Sequence, residues 1–197
     1  MNLVNSVKGQ SIEFIALGQS YKSLSEAYKD GQSRATGEII CYIHQDIIIH
    51  NVDFESKLHY FFRDHKDCGF VGIIGNNKPA PDKWWIPEEN RRGYIRQTDH
   101  TGKIKPTIFN FGRGTQRSAQ MDGCLLMTNR KDWEFPDLPG IHFLDLWMCN
   151  LALERGFENW IIDLDIEHTS WGETDSIHYK NNQQIYLDKW QKKLLTL

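Results

Sequence analysis

The chain has 197 residues, 40% of them hydrophobic and 25% charged, proportions that fit a globular protein with one sizeable core and one domain, residues 1–197. Its net charge of −3 and pI near 6.2 exclude the basic balance of a nucleic-acid-binding domain. No stretch approaches the ~20 apolar residues of a membrane-spanning helix, and Met1 to Ser6 lack the layout of a signal peptide. The expected location is cytoplasmic, with peripheral attachment to the inner membrane left open. Cys41, Cys68, Cys124 and Cys149 form no C-x-x-C pair and fall mostly in apolar stretches. Reduced, buried thiols are expected rather than disulfides or a zinc site. Cys124 has no histidine near it in sequence, which argues against a nucleophile. Arg91-Arg92 and Lys192-Lys193 are short basic pairs that read as solvated surface, although a basic residue near 91 could also meet a phosphate.

Ile12 to Leu17 alternates weakly and reads as a short strand ending at Gly18. Ser23-Leu24-Ser25-Glu26 is a capping box, which starts a helix whose face carries Leu24, Ala27, Tyr28, Gly31 and Ala35. A strand over Glu38 to Ile43 follows, completing a strand–helix–strand unit and predicting a parallel sheet. Phe54, Leu58, Phe61 and Phe62 are spaced as the core face of a second helix. Gly69 to Gly75 reads as a buried strand. The long polar loop from Asn76 to Asn90 carries Trp84-Trp85, either a ligand platform or side chains folded back onto the core. Tyr94 to Gln97 and Lys103 to Phe109 predict a hairpin around Asp99-His100-Thr101-Gly102. Phe111-Gly112-Arg113-Gly114 is a loop without the spacing of a phosphate-binding motif. Ala119 to Thr128 reads as a strand, His142 to Arg155 as a helix closed by Gly156, and Trp160 to Ile162 as the start of the last strand. Ile177 to Leu195 reads as helix, with Tyr186, Trp190 and Leu194 on one face.

His44-Gln45-Asp46 interrupts a β-branched run and would place a carboxylate at a strand end. Burial of that charge is costly unless it is paired, and a divalent cation is the simplest partner. A capped turn or an ion pair is the alternative. Asp145, near the first turn of the helix opening at His142, is favourable there for the helix dipole alone. His168, after the last strand, has the ordinary alternative of a satisfied surface or core histidine. Together the three positions point to an oxygen- and nitrogen-ligand cation site with a separate carboxylate.

These stretches, in order, resemble the bacterial family-2-like glycosyltransferases with the glycosyltransferase A fold, from about Ile12 to Trp190. The resemblance rests on Ser25 to Gly31, Ala35 to Ile40 leading into His44-Gln45-Asp46, Phe70 to Gly75, Lys83-Trp84-Trp85, Met121 to Leu126, His142 to Leu146, Glu167 to Gly172 and Lys189-Trp190. It implies an α/β nucleotide-diphospho-sugar transferase fold with a mostly parallel central sheet flanked by helices. Family members normally begin with a further strand and helix, so the chain is expected to be N-terminally shortened. The resemblance further implies that Asp46 and His168 ligate Mn²⁺ or Mg²⁺, with His44, Gln45 and Lys29 at the cofactor. Asp145 takes the place of the base, and Trp84, Trp85, Asp122, Gly123 and His142 lie near the sugars. Lys29 departs from the family's usual Asn, and His44 replaces the first Asp of its metal motif.

The leading expectation is an enzyme of polysaccharide biosynthesis. It would move a sugar from a nucleoside-diphosphate donor to a glycan, a lipid-linked acceptor or another hydroxyl, with metal assistance and inversion. The alternative is a non-catalytic relative that binds a glycan, nucleotide or partner protein. A metal phosphohydrolase ranks last, because too few carboxylates cluster for a two-metal site. The sheet edge left by an absent strand makes a homodimer a reasonable expectation.

Overall fold

The computed structural model describes residues 3–18, 20–99, 101–109, 112–170 and 177–195. In chain order the helices are α1 (Leu3–Ser6), α2 (Leu24–Arg34), α3 (Phe54–Asp64), α4 (Leu144–Glu154) and α5 (Ile177–Trp190). The strands are β1 (Ile40–Ile43), β2 (Ile47–Ile49), β3 (Cys68–Gly72), β4 (Ile74–Asn76), β5 (Arg91–Thr98), β6 (Ile104–Ile108), β7 (Gln116–Ser118), β8 (Gln120–Met121), β9 (Leu125–Thr128), β10 (Glu158–Ile161) and β11 (Ile166–His168). One sheet has the order β1-β9-β3-β10-β7. The other runs β2-β11-β5-β4-β8, with β6 paired to β5.

The mixed α/β class holds, but the mostly parallel sheet does not. Among the described residues two pairings are parallel, β3 with β10 and β5 with β11, and seven are antiparallel. The expectation failed at Ile12 to Leu17, which forms no strand. Glu13 and Phe14 are exposed, and the segment is tied down by a side chain instead, the Glu13 carboxylate accepting from Thr36 N and Oγ1. Helix α2 is therefore no crossover between parallel strands. β1 pairs antiparallel with β9, Ile43 opposite Leu125.

Local signals decide most elements. The Ser23 hydroxyl accepts from Glu26 N, and the Glu26 carboxylate accepts from Lys22 N, so side chains satisfy two main-chain donors at the entry to α2. Phe54, Leu58, Phe61 and Phe62 are buried on one face of α3, each contributing about 1.5–3 kcal/mol of burial. The predicted strand over Gly69 to Gly75 is broken after Gly72: β3 belongs to one sheet and β4 to the other. The predicted strand over Ala119 to Thr128 is likewise split by a turn at Asp122-Gly123-Cys124. These two chain switches join the sheets and place the turn beside the start of α4.

Candidate functional site

Strand register builds the first half of the site. β11 runs antiparallel to β2 with His168 opposite Ile47, so Asp46 emerges beside His168. Thr169 locks that junction, its N–H and hydroxyl both donating to the Asp46 carbonyl at 3.0 Å. His44 directly follows β1 and donates its N–H to the Cys124 carbonyl. Ligand atoms of His44, Asp46 and His168 consequently lie within 4.8 Å of one another. His168 Nε2 stands 3.4 Å from Asp46 Oδ2.

The parallel pairing of β11 with β5 puts Gln97 beside His168. The Gln97 amide donates to the Ser170 carbonyl at 2.6 Å, which turns its oxygen toward His168 Nδ1 at 3.3 Å. Gln97 can accept from Nδ1, an arrangement that would free the Nε2 lone pair for a cation between His168 and Asp46. Burial lowers the pKa of His44 more than Asp122 and Asp46 raise it, so a neutral imidazole is favoured. Burial opposes ionisation of Asp46, but the Ser170 hydroxyl and the two imidazoles outweigh it and hold the carboxyl below its ordinary value. Two imidazoles, one of them favoured neutral, and a carboxylate held below its ordinary value are donors that suit a divalent cation.

The second half grows from the Asp122-Gly123-Cys124 turn. Asp122 Oδ1 accepts from Cys124 N at 2.9 Å and Oδ2 from the Trp84 indole at 3.2 Å. Asp145 Oδ2 accepts from Gly123 N at 3.0 Å, while Oδ1 accepts from Leu146 N in the first turn of α4. A Cβ on Gly123 would lie 3.0 Å from the Asp145 Cβ, so a side chain there would press Asp145 outward by a few tenths of an ångström. Burial and the adjacent Asp122 push the Asp145 carboxyl up to about 7, against the two N–H bonds that favour its charge. Asp122 thus acts electrostatically on both halves, raising the His44 and Asp145 pKa values.

The remaining predicted positions are more dispersed. Trp84 is buried, packed edge-on against Trp85 and Phe109, so it supports Asp122 rather than facing solvent. Trp85 is half-buried and Gln45 exposed on the turn between β1 and β2. The His142 ring packs edge-on against Tyr179. Lys29 is exposed on α2 and lines a separate cavity of about 350 Å³ with Lys131, Trp133 and Phe135, to which no residue of the cluster contributes. His100, Phe111 and the Trp171-Gly172 portion of the quoted motif lie outside the described residues. All four cysteines are free, and burial pushes the Cys41 and Cys68 thiols up to about 12. Cys124 is fully buried with its thiol pKa raised further, which leaves it no nucleophilic role. Sequence reasoning missed Gln97 and Ser170, whose positions follow only from the pairing of β5 and β11.

Polar side chains gathered where strands of a mixed α/β fold end are the usual layout of a ligand-handling α/β protein. The model of the glycosyltransferase-like family matches residues 1–193, and the chain belongs to that family. No curated protein matches the chain. Among the described residues no helix is long and apolar enough to cross a membrane.

Proposed function

We propose that the protein is a cation-assisted, inverting glycosyltransferase acting on a nucleoside-diphosphate sugar and a hydroxyl acceptor, glycan or lipid-linked. The carrying observation is the convergence of His44, Asp46 and His168 within 4.8 Å, linked through the Asp122-Gly123-Cys124 turn to Asp145, whose carboxyl burial pushes up to about 7. Mn²⁺ would be held by those three side chains, leaving coordination positions for phosphate oxygens, and would offset the charge that develops on the departing diphosphate. Two imidazoles make the set softer than Mg²⁺ prefers, so Mn²⁺ is the expected occupant. Asp145 is the group suited to take the acceptor's proton, since a base works best with a pKa near the operating pH. Asp122 and the exposed part of Trp85 are suited to a sugar's hydroxyls and its apolar face.

A second reading has its own observation. Both Asp145 oxygens already accept main-chain N–H groups, as a purely structural helix-entry carboxylate would. In that case the chain binds a nucleotide or glycan without turnover. Calorimetric titration with uridine and guanosine diphosphates, with and without Mn²⁺, tests the donor site. Metal-dependent binding of at least one nucleotide, lost in Asp46→Ala, is expected. Binding indifferent to Mn²⁺, or none from folded protein, overturns the proposal. Asp145→Asn then separates the readings: it keeps nucleotide binding and loses transfer only if Asp145 is the base.

A further inference from the structure

Arg92 and Arg117 come from different sheets, yet both line a cavity of about 460 Å³. Its volume falls in the range of roughly 300–1,000 Å³ that takes small molecules. Asn77, Gln116 and Ser118 are neutral polar residues of its lining, which Leu153 near the end of α4 also joins. No carboxylate is among the described residues lining it. Arg92 is buried on β5, and its guanidinium is oriented by donation to the Glu89 and Arg91 carbonyls at 3.1 and 2.8 Å. Burial lowers its pKa, a shift that a bound anion would reverse. Arg117 reaches the cavity from β7, flanked by the Trp160 ring at 5.3 Å and an ion pair with Glu158.

We propose that this cavity is a binding site for an oxyanion, a phosphate monoester or the carboxylate of an acidic sugar, held between Arg92 and Arg117. Planar guanidinium forks match both anions, and the Asn77 amide is a further candidate donor in the lining. The site is distinct from the His44–Asp46–His168 cluster. Arg92 precedes Gln97 by five residues on β5, about 16 Å of extended chain. An anion bound here is therefore not a diphosphate held at the cluster.

The test is an NMR titration that follows the arginine Nε–H resonances of the full chain in EDTA. Inorganic phosphate and glucuronate are added separately, with glucose as the neutral control. Saturable shifts of Arg92 and Arg117 with at least one anion, and none with glucose, are expected. A response to phosphate alone assigns a phosphorylated ligand, and a response to glucuronate alone an acidic sugar. A response to both supports an oxyanion site that does not distinguish them. Arg117→Gln should weaken binding about tenfold, as loss of a charged hydrogen bond does. Glu158→Gln, which releases Arg117 from its carboxylate, should tighten it several-fold. Absence of any saturable Arg92 shift, or affinities unchanged in both variants, overturns the proposal. Because EDTA keeps the cation out, failure here leaves the reading of the His44–Asp46–His168 cluster untouched.

Discussion

Asp145 accepts two main-chain N–H bonds that favour its charge, yet burial and Asp122 disfavour that charge more strongly. Its carboxyl at about 7 stands above the unfolded value of about 3.9. The native chain then holds a proton that the unfolded chain has released. The stabilisation this gives is fully present below about pH 4 and is lost as pH rises through about 7. Urea denaturation should show the wild type losing about 1–3 kcal/mol between pH 5 and 8, with a flatter profile in Asp145→Asn. Equal slopes would mean the carboxyl titrates normally. With Asp145 as the proposed base, transfer should move the opposite way, rising with pH as the carboxyl ionises, and Asp145→Asn should lower it at least about 100-fold. Gln97 permits a second test at this scale. Gln97→Leu removes the acceptor beside His168 Nδ1 and should weaken Mn²⁺ binding about 10–100-fold by calorimetry. Unchanged affinity would show that His168 needs no such orientation.

The elements differ in how much of them local chemistry determines. The capping box of α2 and the aromatic spacing of α3 were legible because partner and signal lie within one or two turns. The hairpin of β5 and β6 was legible for the same reason, Thr98 pairing with Ile104 across a short turn. Ile12 to Leu17 was misread because a weak alternation becomes a strand only with a neighbour to pair with, and none of the described strands pairs with it. The breaks after Gly72 and at Asp122 escaped because sheet switching depends on distant backbone. Gly93 shows how strict that backbone is. It sits at φ +102, and a Cβ there would lie 2.0 Å from the Ile73 carbonyl oxygen, which itself accepts from Tyr94 N. Gly93→Ala should cost about 3 kcal/mol or more by combining left-handed strain with a main-chain clash. Ser23→Ala, which only removes the α2 cap, should cost about 1 kcal/mol. Parallel urea melts of the two variants give the comparison, and similar losses would contradict the placement of β4 against β5.

Across the whole molecule, α5 is the brace between the polar loop and the entry to α4. Tyr186 and Trp190 were legible as its apolar face, but their polar partners were not, because they arrive from three distant elements. The Tyr186 hydroxyl donates to the Ala80 carbonyl and accepts from Gln120 and Asn150, all fully or almost fully buried. Asn182, one turn earlier, donates to the Pro139 and His142 carbonyls and so fixes the approach to Asp145. The His44–Asp46–His168 cluster is assembled otherwise, through the pairing of β11 with β2 and β5, and the proximity of Asp46 to His168 could not be seen before that register was known. Two halves of one site thus depend on separate supports. Tyr186→Phe keeps the ring and removes the hydroxyl, leaving the Asn150 amide short of an acceptor in a dry interior, while the Gln120 amide keeps the Ala80 carbonyl and Asn150 Oδ1. A buried donor left unsatisfied costs about 1–3 kcal/mol, and a loss of that size is expected in urea. Mn²⁺ affinity of the folded variant should stay at the wild-type value, while transfer falls because α4 carries Asp145. A parallel loss of metal binding would mean the halves are coupled through the core, and a neutral urea melt would mean water replaces the hydroxyl.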